Sequence, residues 1–340
     1  MSAAKTTIES LIASPAKPRA PTSPIKPKFC IPTTKPSIAK PTHNPATEDI
    51  KSVCLNEFKA KTNPTRIKMK KTNNETLVSI IITNFNKSKF LLEAVKSCLR
   101  QSYKKKEIIF FDDKSTDDSL KKIKHYKKKN KLDLKILSNL KKEKNSGPIN
   151  QIIAIKKSIN LAKGKFIFLL DSDDFFHKDK ISEIIDCFKK HRKNKMILDQ
   201  PIYKYKSKEI KKNFYNIRYK NKWPKFPPTS CMCFEKKTFK SVLNKVSLKK
   251  FPNLAIDFRL AVYYSLILKK FYIHNSHLTY YRQLDESMDS KYIKYRSKEW
   301  WKRRVEAFEF LNFVLKKNKL PTNKSFDLFV TKLLNKILSI

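Results

Sequence analysis

From residue 77 onward, short apolar runs alternate with stretches in which apolar residues recur every three or four positions. Runs at 77–83, 107–111, 134–137 and 165–170 are continuous rather than alternating, which predicts strands covered on both faces. Helical spacing fills the gaps at 89–101, from Ser115 onward, and at 148–162. This βα alternation predicts a mostly parallel sheet flanked by helices. A helix at 180–191 follows, then a Lys/Tyr-rich segment with weak periodicity and an irregular loop at 223–230 rich in Trp, Phe and Pro. Beyond it the pattern predicts a strand at 230–235, a helix at 256–268, a strand at 274–282 and amphipathic helices from 297 to the end.

Residues 1–75 are different. They hold ten of the 17 prolines amid Ala, Thr, Ser and Lys, the signature of a basic, disordered tail. The whole chain carries 76 Lys and Arg against 30 Asp and Glu, a formal charge of +46. Such a charge attracts phosphate-rich partners, whether nucleic acid, nucleotides or an anionic membrane surface. The lysines are spread along the sequence, whereas a reader of nucleic acid concentrates them on one face or motif, so nucleic acid is not the expected partner. Six cysteines show no CxxC pair, and buried core thiols are expected, with Cys231, Cys233, His274 and His277 as a weaker zinc alternative. No apolar run reaches the roughly 18 residues that a spanning helix needs. The expectation is a cytoplasmic protein, peripheral on the inner face of a membrane.

The chemistry concentrates where strands end. The run at 165–170 stops on Asp171, Ser172, Asp173 and Asp174, and the run at 107–111 stops on Asp112 and Asp113. Clustered carboxylates repel one another and are easiest to tolerate beside a divalent cation with oxygen ligands. Ligands of open α/β sheets bind beyond the carboxyl ends of the strands, so both acidic ends can border one pocket. A phosphatase of the haloacid-dehalogenase type also places a DxD motif after an apolar strand. That motif normally opens its domain, however, and here three βα units precede it.

Four segments together resemble the family 2 glycosyltransferases. The stretch 77–86 (LVSIIITNFN) is similar to their first strand and loop, followed by a helix at 91–99 and Gln101-Ser102-Tyr103. Phe111-Asp112-Asp113-Lys114-Ser115-Thr116-Asp117 resembles their second-strand signature, with Lys114 where glycine is common. Ala162-Lys163-Gly164-Lys165 leading to Leu170-Asp171-Ser172-Asp173-Asp174 resembles the segment with their metal-binding DxD motif. The likeness is close over 77–190 and looser to about 290.

The resemblance implies a GT-A, Rossmann-like fold at 76–290, with a nucleotide-sugar half at 76–178, an acceptor half at 179–290, and a C-terminal helical extension at 291–340. It implies a nucleoside-diphosphate sugar bordered by Thr83, Asn84, Phe85, Asn86, Asp112, Asp113, Asp171 and Arg282. Mg²⁺ or Mn²⁺ would be held by Asp171, Asp173 and Asp174. It further implies an inverting, metal-dependent, non-processive transfer to a glycan or lipid-linked acceptor, as in polysaccharide biosynthesis. Asp257 is the candidate base, at the place of the family's acidic pair, although Ile256 stands where Glu is frequent; a helix cap is the other reading of Asp257. Trp223, Thr229 and Ser230 are candidate acceptor contacts, with core packing the alternative for Trp223. Leu284 occupies the place of a histidine found near the diphosphate in many relatives. The rival function is a basic membrane- or nucleic-acid-binding module on an inactive GT-A scaffold, against which the intact acids argue.

Overall fold

The computed structural model describes residues 75–139, 146–215, 223–247, 249–284 and 297–338. The expected tail and the boundary near 290 lie outside these residues. Strands β1 (Val78–Asn84), β2 (Lys106–Asp112), β3 (Leu134–Ser138) and β4 (Phe166–Asp171) alternate with helices α1 (Leu91–Leu99), α2 (Ser119–Lys129) and α3 (Gly147–Leu161). They pair in parallel in the order β3-β2-β1-β4, so the carboxyl ends of all four strands lie on one side. The apolar runs became strands because helices cover both faces. Ile81, Ile109 and Leu169 enter one core cluster with α3, and Ile80, Ile82, Phe110 and Leu170 enter the other with α1.

Beyond β4 the sheet becomes mixed. A two-residue strand β5 (Phe175–Phe176), helix α4 (Lys180–Lys190) and strands β6 (Met196–Lys204) and β7 (Glu209–Lys211) precede β8 (Met232–Glu235) and helix α5 (Lys236–Val246). Helix α6 (Ile256–Val262) runs into a π-helical turn at Tyr263–Leu268, and β9 (Phe271–Arg282) closes the sheet. The path continues β4-β8-β6-β9-β5, with β7 on β6. Helices α7 (Lys298–Lys317) and α8 (Phe326–Ile337) complete the chain, α7 packing Phe310, Leu311 and Val314 into the first core cluster.

Besides the short strands β5 and β7, two longer elements, β6 and α5, were not expected from the pattern. Strand β6 falls in the stretch read as weakly periodic, because Asp199, Gln200 and Pro201 interrupt its apolar run. Each has a local solution: Asp199 meets Lys180, Gln200 exchanges two 2.8 Å hydrogen bonds with the Phe214 backbone, and Pro201 sits at a register shift against β9. Helix α5 buries Phe239, Val242, Leu243 and Val246, a helical spacing obscured in the sequence by the lysines among them. Cys231 and Cys233 are buried free thiols, and among the described residues no group of three or more His, Cys, Asp or Glu side chains converges to hold a metal.

Gly164 shows how tightly β4 is seated. A Cβ there would lie 2.4 Å from the Ser79 backbone nitrogen and 2.5 Å from the Val78 carbonyl carbon. The Gly164 N–H also donates to Ser79 Oγ at 2.8 Å. Backbone atoms of a central strand cannot yield as a side-chain tip does. Gly164→Ala is therefore expected to cost about 1–3 kcal/mol, read as a lower urea midpoint with an unchanged m-value. An unaltered midpoint would show that β1 and β4 can part at this point.

Candidate active site

The strand ends bring the acidic segments together. Thr83 and Asp171 are direct neighbours across β1 and β4, and Asn84 and Asp112 across β1 and β2. Thr83 Oγ1 donates to Asp171 Oδ1 at 3.0 Å, and Gln151 Nε2 from α3 donates to the same oxygen at 2.7 Å. Asn84 Nδ2 donates to Asp112 Oδ1 at 2.7 Å and to Ser115 Oγ at 3.0 Å. Its Oδ1 is buried and, among the described residues, accepts from no protein atom.

The turn after β2 explains why the helix begins at Ser119 rather than Ser115. Asp112 accepts from the Ser115 backbone N–H at 2.9 Å and the Ser115 hydroxyl at 2.6 Å, and Asp117 Oδ1 accepts from the Ser119 N–H at 3.0 Å. Asn86 and Lys114 each have φ of 52°, the left-handed region. Asparagine tolerates that region well and lysine poorly, which is the physical reason glycine suits the position of Lys114. Asp113 accepts from Asn139 at 2.6 Å, and Asn139 in turn from Lys157 at 2.7 Å. Phe85, which follows β1, is 43% exposed.

The three aspartates after β4 do not share one orientation. Asp173 is at the surface with Lys87 Nζ 2.9 Å away. Asp174 is turned inward, 1% exposed, accepting from Ser230 Oγ at 2.6 Å and the Arg282 backbone N–H at 2.8 Å. Burial, then the charges of Asp173 and Asp171, push the Asp174 carboxyl well above the usual range. Asp171 is pushed up to about 7, first by burial, then by Asp173, and also by Asp257. Asp257, 86 residues further along the chain, is near enough for its charge to contribute to that shift.

Asp257 sits in the first turn of α6, its Oδ1 accepting from the Phe258 N–H at 2.6 Å. The approach to this helix is pinned from beneath. Arg259, fully buried, donates to the carbonyls of Leu254 at 3.0 Å and Val246 at 2.8 Å and also to that of Phe251. Burial lowers its pKa to about 10, which leaves it charged at neutral pH. From α7, Glu306 accepts from the Asn253 backbone N–H at 2.9 Å.

Other predicted residues have structural partners. Arg282 donates from Nε to the Asp173 carbonyl at 2.8 Å and from Nη2 to Glu93 at 2.5 Å, and its guanidinium lies 4.7 Å from the Phe90 ring centroid. It thus staples the acidic loop to α1. Trp223 packs between Phe258 and Phe308, with centroids 5.0 and 4.5 Å away. Thr229 and Ser230 are buried, and Ser230 Oγ accepts from the Asp171 N–H at 3.1 Å.

Sequence reasoning passed over Lys87, Gln151, Lys180 and Asp199. Lys180 is fully buried, its ammonium 2.8 Å from Asp199 Oδ1 and donating to the Ser230 carbonyl and Thr279 Oγ1 at 2.6 Å each. Burial lowers its pKa, but the charge of Asp199 outweighs that and leaves it raised. One chain of contacts therefore runs from Lys180 through Ser230 to Asp171 and Asp174.

As a donor set, Asp171 and Asp173 offer two carboxylates whose mutual repulsion a cation would relieve. Mg²⁺ characteristically takes one or two carboxylates and completes its shell with phosphates and water. The residues present fit that mode, and Asp174 is committed elsewhere.

Residues 79–247 match the family model described as glycosyl transferase family 2. An uncharacterized glycosyltransferase of Rickettsia conorii is 39% identical over 117 residues, covering 32% of this chain and 16% of the relative. The poly(ribitol-phosphate) beta-N-acetylglucosaminyltransferase TarS of Staphylococcus aureus is 32% identical over 126 residues, covering 35% and 20%. The matched region is thus well under half the length of these relatives. The crystal structure of S. aureus TarS 1-349 in complex with UDP-GlcNAc superposes with a TM-score of 0.53 at 16% identity, covering 77% of this chain and 71% of that one. That likeness concerns the fold, a GT-A sheet with helices on both faces. Its motifs, its strand order and the match over 79–247 converge: the chain belongs to glycosyl transferase family 2.

Proposed function

We propose that this protein transfers a sugar from a nucleoside-diphosphate donor to a hydroxyl of a glycan or lipid-linked acceptor, by a single inverting displacement, at the cytoplasmic face of a membrane. What supports the reading is the gathering of Thr83, Asn84, Asp112 and Asp171 at the carboxyl ends of β1, β2 and β4, with Asp173 and Asp257 near enough for their charges to raise the Asp171 pKa. Asn84 and Asp112 flank the side where a nucleoside would lie, with Asn84 Oδ1 left as a buried acceptor and Phe85 as an exposed ring for stacking. Asp171 and Asp173 would hold Mg²⁺ or Mn²⁺, which when bound supplies positive charge against the diphosphate. Asp257 takes the proton of the acceptor hydroxyl as its oxygen bonds to the anomeric carbon; the bond from that carbon to the diphosphate oxygen breaks and its electron pair leaves with the nucleotide. Arg282 and Ser230 act through the loop, holding the backbone of Asp171 and Asp173 and the carboxylate of Asp174.

Asp173→Ala tests the donor half. The side chain is 20% exposed and its ion-pair partner is Lys87, so the fold should lose no more than about 1 kcal/mol. Calorimetry with UDP or GDP is expected to show Mn²⁺-dependent binding in the wild type and at least a roughly tenfold loss in the variant. Equal affinity in both would remove the cation from this loop and the proposal with it.

A further inference from the structure

Helix α8 leaves a continuous apolar strip facing solvent. Phe326, Phe329, Leu333 and Ile337 follow one another at helical spacing and are 79, 62, 46 and 41% exposed. The rings of Phe326 and Phe329 stack with centroids 6.2 Å apart, so the strip begins as an aromatic patch. The opposite side is what attaches α8 to the protein: Thr331 is buried and accepts from Arg304 Nε at 3.1 Å, and Asp327 pairs with the same guanidinium. Single exposed apolar residues are ordinary, but a contiguous strip led by two phenylalanines marks a contact surface.

Its charge identifies the partner. Lys332 and Lys336 run along one border of the strip and Lys324 precedes it, all exposed, while the helix's one carboxylate, Asp327, is neutralised by Arg304. A second copy of the chain would bring the same lysine border against itself, and a formal charge of +46 opposes such pairing. An anionic lipid surface offers negative headgroups and an apolar interior together.

We propose that α8 lies in the plane of an anionic bilayer, its phenylalanines at the headgroup–acyl boundary and Lys332 and Lys336 reaching the phosphates. This deepens the membrane part of the function proposed above and names the element responsible; it is independent of the donor chemistry. No described helix is long and apolar enough to cross a membrane, and a surface-lying helix needs no such length.

The test uses the full chain with phosphatidylcholine vesicles that contain or lack phosphatidylglycerol. Wild type is expected to sediment with the anionic vesicles and not with the neutral ones, and Phe326→Ser/Phe329→Ser to lower that partitioning at least about tenfold. Phe326→Trp should add emission that shifts blue on the vesicles and is quenched by brominated lipid beyond the wild-type signal. Donor binding with Mn²⁺ stays unchanged in the double variant, which separates failure of this idea from failure of the transferase reading. Equal partitioning of wild type and double variant, added emission in Phe326→Trp that brominated lipid leaves unquenched, or a wild-type dimer that the double variant dissolves would each overturn the bilayer assignment.

Discussion

Asp257→Asn is expected to lower turnover about 10²–10⁴-fold while leaving donor affinity and melting temperature nearly unchanged. Asparagine keeps the shape of the side chain and an oxygen to accept from the Phe258 N–H, now held at 2.6 Å, and Asp257 lies two positions beyond the N-cap residue Ala255. What it lacks is basicity. The substitution therefore separates the two roles that one carboxylate in the first turn of α6 can play. A base lost on an otherwise intact scaffold reads as a fall in kcat with little change in KM for the nucleotide-sugar, which a thermal-shift panel with Mn²⁺ would first select. A capping role reads as a lower melting temperature in Asp257→Ala with turnover retained in Asp257→Asn. The surroundings favour the first outcome: Arg259 and Glu306 spend buried hydrogen bonds on the loop that delivers Asp257. Turnover within about threefold of wild type would move the base elsewhere.

The parallel half of the fold was legible because its physics is local. Four apolar runs, three helical stretches and acids at strand ends reproduce β1 to β4 within a few residues, and neighbouring strands then bring Thr83 to Asp171 and Asn84 to Asp112 without further information. The second half was harder to read because its strands are partly polar. Asp199 and Gln200 look like loop residues until Lys180 and the Phe214 backbone are known to meet them. The same limit applies to the site. That Asp171, Asp173 and Asp174 cluster in sequence suggested three ligands, whereas the turn formed by the Asp174 N–H and the Asp171 carbonyl sends Asp174 inward to Ser230. Alternation of side chains holds along a strand and fails at the first turn beyond it. Arg282 carried a phosphate role by resemblance, and its guanidinium is engaged by Glu93 and the Asp173 carbonyl. Neither partner is adjacent in sequence, so no pattern announces them.

Lys180→Met is expected to be the most damaging substitution for stability, and the reason lies behind the acidic loop rather than in it. The ammonium is wholly buried and sits 4.0 Å from the Phe176 ring centroid as well as against Asp199. Removing it leaves Asp199 in a dry interior, still accepting from Thr279 at 2.6 Å but without its counter-charge, and takes the donor from the Ser230 carbonyl. Breaking one member of a buried pair costs about 3–5 kcal/mol, because the charge left behind has lost both water and partner. At ~2–4 °C per kcal/mol for a domain of this size, the melting temperature should fall by roughly 6–20 °C. Replacing both members, Lys180→Met with Asp199→Leu, should recover most of that loss, since two apolar groups need no counter-charge. Recovery in the double variant is what distinguishes an uncompensated charge from a packing defect, which the second substitution would only deepen. If stability returns but Mn²⁺-dependent nucleotide binding stays weak, the pair also positions Ser230, and through it Asp171 and Asp174, for the donor. A single variant within about 1 kcal/mol of wild type, by urea unfolding, would mean that Asp199 takes up a proton or water at little cost and that this buried pair does not hold the loop in place.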